Sequence, residues 1–167
     1  MKDMAFARTC FRIITASCLL LSAACSNKNI DVKSILSAAD ALVMSQPEEA
    51  MDTLQTIDAS SSKNMNAADK ALYDLLITEA RFKNFQPIDK DSAIFQSVNY
   101  YRQHGPDDKL SRALIMQGAV YQERNELSAA MESFKEAEPI LEQIGDMGLV
   151  DKIHDTYVNN DVICIRQ

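Results

Sequence analysis

From Leu114 to Ala137, small and aromatic side chains recur at spacings that one helix, a tight turn and a second helix satisfy together. Gly118 and Tyr121 stand three apart, and Ala130, Phe134 and Ala137 follow at intervals of four and three. Residues three or four apart share one helix face, so each set marks a contact stripe. Gly118 and Ala130 are small where the two helices of a pair are expected to approach closely. Tyr121 and Phe134 are bulky where a gap between neighbouring pairs needs filling. Asn125 and Glu126 read as the intervening turn, and Pro139 is expected to kink the second helix or end it at Glu138.

The same period runs along most of the chain. Ile35, Ala38, Ala39, Leu42 and Val43 lie on one face of a first helix. Pro47 suits the first turn of a second, with Glu48 and Glu49 favourable at its N-terminal dipole and Ala50, Leu54 and Ile57 on one side. The polar stretch from Asp58 to Asn66 reads as a loop, and Asn66 caps a third helix striped by Leu72, Leu75, Leu76 and Ala80. Pro87 breaks the pattern between Asn84 and Asp91. A fourth helix, from about Ser92 to His104, carries Ile94, Phe95, Val98 and Tyr101, and Gly105-Pro106 ends it before Asp107-Asp108 open the next. A last helix begins near Met147. No stretch alternates as a strand does, so the body is all-α and made of short helix pairs.

Leu114, Gly118 and Tyr121, then Ala130 and Phe134, match the tetratricopeptide pattern W-x2-L-G-x2-Y…A-x3-F, with Leu114 in place of the tryptophan and Gln117 in place of the leucine. Ala50, Leu54 and Ile57 echo the second half, as do Ala93, Ser97 and Tyr100. The leading alanines lie 43 and 37 residues apart, and the loops at 58–66 and 84–91 account for the excess over a repeat of about 34. Residues 71–84 (ALYDLLITEARFKN), 99–105 (NYYRQHG) and 113–138 resemble the tetratricopeptide lipoproteins common in Bacteroidetes. That resemblance implies a right-handed α-solenoid of about three antiparallel helix pairs plus a C-terminal helix over residues 32–167. It also implies repeat-packing roles for Leu114, Gly118, Tyr121, Ala130, Phe134 and Ala137. Members of this family often continue into further repeats or a signalling segment. Lys152, His154 and Asp155 depart from the repeat, so the C-terminal helix is expected to be a cap or the edge of a truncated array.

At the other end, Lys2, Arg8 and Arg12 precede an apolar run from Ile13 to Ala24 that closes on Ser22-Ala23-Ala24-Cys25. Basic segment, apolar segment and small residues in that order make a secretory signal. The run of 12 residues is too short to span a bilayer, which takes roughly 20. With its cysteine, the segment resembles a lipobox. The resemblance implies removal of residues 1–24, a lipid on Cys25, and a tether over 25–31. Cys18 is a poorer acylation candidate. Three of the 17 basic residues and one of the 24 acidic ones lie in residues 1–24, so the remainder carries a net charge of −9 against −7 for the whole. Such a surface repels phosphate backbones, so no nucleic acid is expected as a partner. No aspartate follows Cys25 and no acidic run trails it, which implies an outer-membrane lipoprotein facing the periplasm.

Chemistry-bearing motifs are few. His104 and His154 stand 50 residues apart, without a metal or triad motif, and His104 suits a helix C-terminus. Asp89 and Asp91 lack calcium-loop spacing and read as solvated turn residues and a helix cap. Met44, Met51, Met116 and Met131 read as gap fillers. One of Tyr100 and Tyr101 is expected in the core and the other toward the surface. With Cys25 acylated, Cys164 is left as a free thiol. No catalytic residue, metal or cofactor is expected. The function that follows is a scaffold for protein interaction, taking a peptide or helix of an unknown envelope partner on its concave face. In the clearest repeat that face is expected to carry Arg112, Ala119, Gln122 and Glu123. The alternatives are the truncated sensor portion of a longer tetratricopeptide signalling or regulatory protein, and a small-ligand or glycan-binding envelope lipoprotein, the latter weakened by the absence of Trp and an aromatic content of 7%.

Overall fold

The structure, a computed structural model, describes residues 31–159. The signal segment, Cys25 with its tether as far as Ile30, and Cys164 lie outside the described residues. Among the described residues every regular element is a helix: α1 (Val32–Leu42), α2 (Pro47–Gln55), α3 (Ala59–Lys63), α4 (Ala67–Lys83), α5 (Ile94–His104), α6 (Asp107–Glu123), α7 (Leu127–Ile144) and α8 (Met147–Asn159). None of them is long and apolar enough to cross a membrane.

Local chemistry sets most boundaries. Pro47 opens α2 with Glu48 and Glu49 in its first turn. Asn66 Oδ1 accepts the Asp69 N–H at 2.9 Å, and Asn66 Nδ2 donates to the Asp69 carboxylate at 2.7 Å, so α4 starts with a reciprocal cap. The stretch expected as a loop after Asp58 instead contains α3. Asp58 Oδ1 accepts the N–H groups of Ser60 and Ser61 at 2.8 and 2.7 Å, which is enough to nucleate a helix of five residues. Nor does α7 stop at Glu138; it runs through Pro139 to Ile144. Proline removes the donor for the Lys135 carbonyl, but Pro139 and Lys135 are both exposed and water can take that bond.

Each helix packs on the next long one, with further contacts between alternate helices. α1 meets α2 and α4, α2 meets α4, α4 meets α5 and α6, α5 meets α6, α6 meets α7, and α7 meets α8. The core falls into two apolar clusters that α4 shares. Leu76 and Ala80 join Leu36, Ala39, Val43, Ala50 and Leu54 on one side, while Leu75 and Phe82 join Ile94, Val98, Leu114, Phe134 and others on the other. On α1 the buried line is Leu36, Ala39 and Val43, one step from the expected stripe; Ile35 and Leu42 are half-buried and Ala38 is exposed. Met44 is 60% exposed, so it fills no gap, unlike the buried Met51 and Met116. Tyr101 is in the core and Tyr100 is half-buried at its edge.

A close helix contact lies where glycine stands. A Cβ placed on Gly118 would come within 2.3 Å of the Phe134 ring. Phe134 therefore sits on Gly118 inside the α6–α7 pair rather than between pairs. Tyr121 does reach the preceding pair, its ring 5.0 Å from that of Phe95 on α5. Ala130 and Ala137 are buried alongside Phe134, and Leu114 is fully enclosed. In the α5 echo, Ala93 is exposed and Ser97 is the small buried residue, its hydroxyl donating to the Ala71 carbonyl at 2.9 Å.

Because Phe134 is 1% exposed and cannot swing away, Gly118→Ala is expected to destabilise the protein by about 1–2 kcal/mol in urea unfolding, despite alanine's better helix propensity. Adding Phe134→Leu to that variant should recover part of the loss, whereas Phe134→Ala alone should cost about 3 kcal/mol or more.

Candidate functional site

Four helices, α1, α4, α6 and α8, each bring polar or apolar side chains spaced three or four apart to a common region, because that spacing keeps them on one helix face. From α1 and the turn after it come Asp40 and Met44; from α4, Glu79 and Lys83. Helix α6 supplies Lys109, Arg112, Ile115 and Met116, and α8 supplies Leu149 and Lys152.

An ion network forms one wall. Arg112 donates Nε to Glu79 Oε1 at 2.8 Å and Nη2 to Glu79 Oε2, a bidentate pair, while its Nη1 reaches Asp40 Oδ1 at 2.8 Å. Lys109 Nζ completes the set on Asp40 Oδ2 at 2.5 Å. Glu79 keeps only 5% of its side-chain surface and Arg112 21%. Burial alone would drive the Arg112 guanidinium toward neutrality, but the bonds and charges of Glu79 and Asp40 more than offset it and raise its pKa. Burial likewise works to raise the Asp40 pKa, and the hydrogen bonds and charges of Lys109 and Arg112 overcome it, holding that carboxyl below its ordinary value. Beside this network, Tyr101 is pushed above its ordinary value, chiefly by burial.

Against the network lies a small cleft of about 40 Å³ lined by Met44, Lys83, Ile115, Met116 and Leu149 together with Glu79 and Arg112. Lys83 is half-buried there. Its pKa is lowered by burial and by the charge of Lys152, which together outweigh the attraction of Glu79.

At the C-terminal end of α6 the side chains are committed to the segment after α4. Glu123 accepts the Ile88 N–H at 2.7 Å, and Arg124 Nε donates to the Asp89 carbonyl at 2.5 Å. Asp91, expected as a solvated turn residue, is 8% exposed and paired with Arg81, because the segment folds back over α4 and buries it. Its Oδ2 is a buried oxygen without a hydrogen-bond partner, as is Gln122 Oε1.

The four residues expected on a partner-binding face therefore share no open surface. Arg112 is turned into the ion network, Ala119 is wholly buried, Gln122 is half-buried, and Glu123 is bonded to backbone. Sequence reasoning missed Asp40, Glu79, Lys83, Lys109 and Lys152. One signal was present: Glu79 falls one turn beyond Leu75 and Leu76 on a stripe otherwise apolar, a place for a charge only if a distant partner meets it. The histidines are elsewhere. The His104 ring stacks on Tyr100 at 4.6 Å, and His154 bonds Glu138. Comparison with known protein families, curated proteins and solved structures gives no match for this chain.

Removing Arg112 leaves Glu79 and Asp40 buried without their cation, so Arg112→Ala is expected to cost about 3 kcal/mol in urea unfolding, the low end for a broken buried pair since the side chain still meets some solvent. Asp40, with its folded pKa below the ordinary 3.8, contributes stability that is fully present above that value and lost as pH falls through the lower folded one. Asp40→Asn should accordingly flatten the acid limb of the stability–pH curve while lowering stability at neutral pH.

Proposed function

We propose that this protein is an interaction scaffold of the cell envelope, built on the tetratricopeptide plan as a right-handed solenoid. It is held at the outer membrane, facing the periplasm, by a lipid on Cys25, and it takes an extended peptide or helix of a partner on the face made by α1, α4, α6 and α8. The observation that carries this is the convergence of those four alternate helices on one cleft, apolar in its depth and cationic at Lys83. Alternate helices line a common face when helix pairs stack in one direction, and such faces suit chain-like partners. Support for the tetratricopeptide plan comes from Phe134 seated on Gly118 within a pair and from Tyr121 against Phe95 between pairs. The pairs α1–α2, α4–α5 and α6–α7, followed by α8, also match the expected count.

Two measurements test it. Growth on radiolabelled palmitate should label the full-length protein, and Cys25→Ser should abolish the label and release the protein from the membrane fraction. A photo-crosslinking residue in place of Met44 or Leu149 should give a discrete adduct in the envelope, whereas one in place of Glu132, exposed on α7, should give none. Unlabelled protein would overturn the anchor, and equal adducts from both faces would overturn the assigned surface.

A further inference from the structure

Gln96, Asn99, Tyr100, Gln103 and His104 fall on one stripe of α5, at spacings of three and four. Tyr100 is half-buried and the other four are exposed. None of the five carries a fixed charge, although 25% of the chain is Asp, Glu, Lys or Arg and a solvated helix face is where such residues ordinarily stand. Across from the stripe, on α4, Ala67 and Ala71 stand one turn apart and leave space between the helices. The Ser97 hydroxyl, donating to the Ala71 carbonyl at 2.9 Å, ties the two helices together there. The result is a groove of about 300 Å³, at the small end of pockets that hold ligands. Lys70 and Asp74 line it from α4, and the five residues of the stripe line it from α5.

The lining is suited to a neutral ligand rich in hydroxyl groups. Lys70 Nζ donates to Asp74 Oδ1, so the cation and the carboxylate of the groove answer one another. Asp74 is only 7% exposed, and no donor from the described residues reaches its Oδ2. Burial raises its pKa above the ordinary value despite Lys70, and a further donor would relieve that burial. The side-chain amides of Gln96, Asn99 and Gln103 make no hydrogen bond with any described residue. Each amide offers donors and an acceptor, which a hydroxyl group, itself both, can meet in either sense. The Tyr100 ring is held in place from two sides. His104 stacks on it at 4.6 Å, 12° from parallel, with its Nδ1 donating to the Tyr100 carbonyl at 3.0 Å, and Tyr101 meets it edge-on at 5.5 Å. Among the described residues the only aliphatic side chains lining the groove are those of Ala67 and Ala71, so it has no deep place for the large apolar anchors of a peptide.

We propose that this groove binds a neutral saccharide about the size of a disaccharide, an activity beyond the scaffold reading and independent of it. The amides of Gln96, Asn99 and Gln103, with Oδ2 of Asp74, take the sugar hydroxyls. The carbon-bound hydrogens of one ring face lie on the Tyr100–His104 pair. One stacked pair serves one sugar ring, so a low aromatic content over the whole chain does not count against a site of this size. The groove shares no lining residue with the cleft beside Arg112.

Saturation-transfer NMR on the full-length protein, with maltose, cellobiose, lactose and mannobiose each in excess, tests this. At least one of these sugars should receive saturation. Its affinity should fall about five-fold for Asn99→Ala and about five-fold for Gln103→Ala, as the loss of one hydrogen bond predicts. Ala67→Leu should fill the groove and abolish the signal while leaving the melting temperature unchanged, because Ala67 is exposed and leucine suits a helix. No transfer to any of the four sugars, or transfer that Ala67→Leu leaves intact, would overturn the proposal. Heptapeptides selected from a displayed library whose binding Ala67→Leu removes, with no sugar bound, would overturn it in favour of a protein ligand.

Discussion

Arg112 fixes the distances between helices that are not neighbours in sequence. Its guanidinium is planar and its donors diverge, so it can hold Glu79 of α4 with one edge and Asp40 of α1 with another only when three helices stand at set separations. Each acid must in turn be met, because a carboxylate left alone at that depth would cost several kcal/mol. Apolar packing alone tolerates sliding between helices. A desolvated bidentate pair does not, and the cleft beside it inherits its shape from that spacing. Lys109 on the far oxygen of Asp40 closes the network, with Asp108 3.8 Å from its ammonium, and the members come from α1, α4 and α6.

The second determinant is the lack of a side chain. Gly118 lets Phe134 lie against the α6 backbone, so the α6–α7 pair is the most tightly joined among the described helices. Ser97, small and able to satisfy the Ala71 carbonyl, serves the α4–α5 pair by a different route. Helix α4 is buried on two faces, Leu75 toward one apolar cluster and Leu76 toward the other. Adjacent residues of a helix point about 100° apart, so a run of consecutive apolar residues is what a helix between two layers requires. The same holds along α6, where residues 113–120 are all buried.

Much of this was legible in the chain. The Gly118–Phe134 and Tyr121 spacings located the closest pair and the aromatic bridge to α5, although Phe134 proved to act within the pair. Caps at Pro47, Asn66 and Gly105 placed helix ends because a cap depends on atoms within a few residues. The errors arose where a local rule met a wider context. Serine-rich sequence after Asp58 read as loop although the aspartate nucleates a turn of helix. Pro139 read as a kink or a stop, and the helix runs on past it because an exposed carbonyl can turn to water. Asp91 read as solvated, although the segment around it folds back over α4. Nor could local pattern show that Arg112 is spoken for by residues 33 and 72 positions away.

The sequence by itself determined that the described body is helical, roughly where its long helices begin and end, and which small and aromatic residues mark the close approach of α6 and α7. Those properties depend on periodicity and on caps, and both act over one or two turns. Only the tertiary structure decided which charges are buried and paired, that Lys83 lines a cleft with Arg112 and Leu149, and that the Met44 and Phe85 side chains are exposed. Whether a charge is satisfied or an apolar group is covered depends on partners brought from distant parts of the chain, and no local pattern encodes that distance.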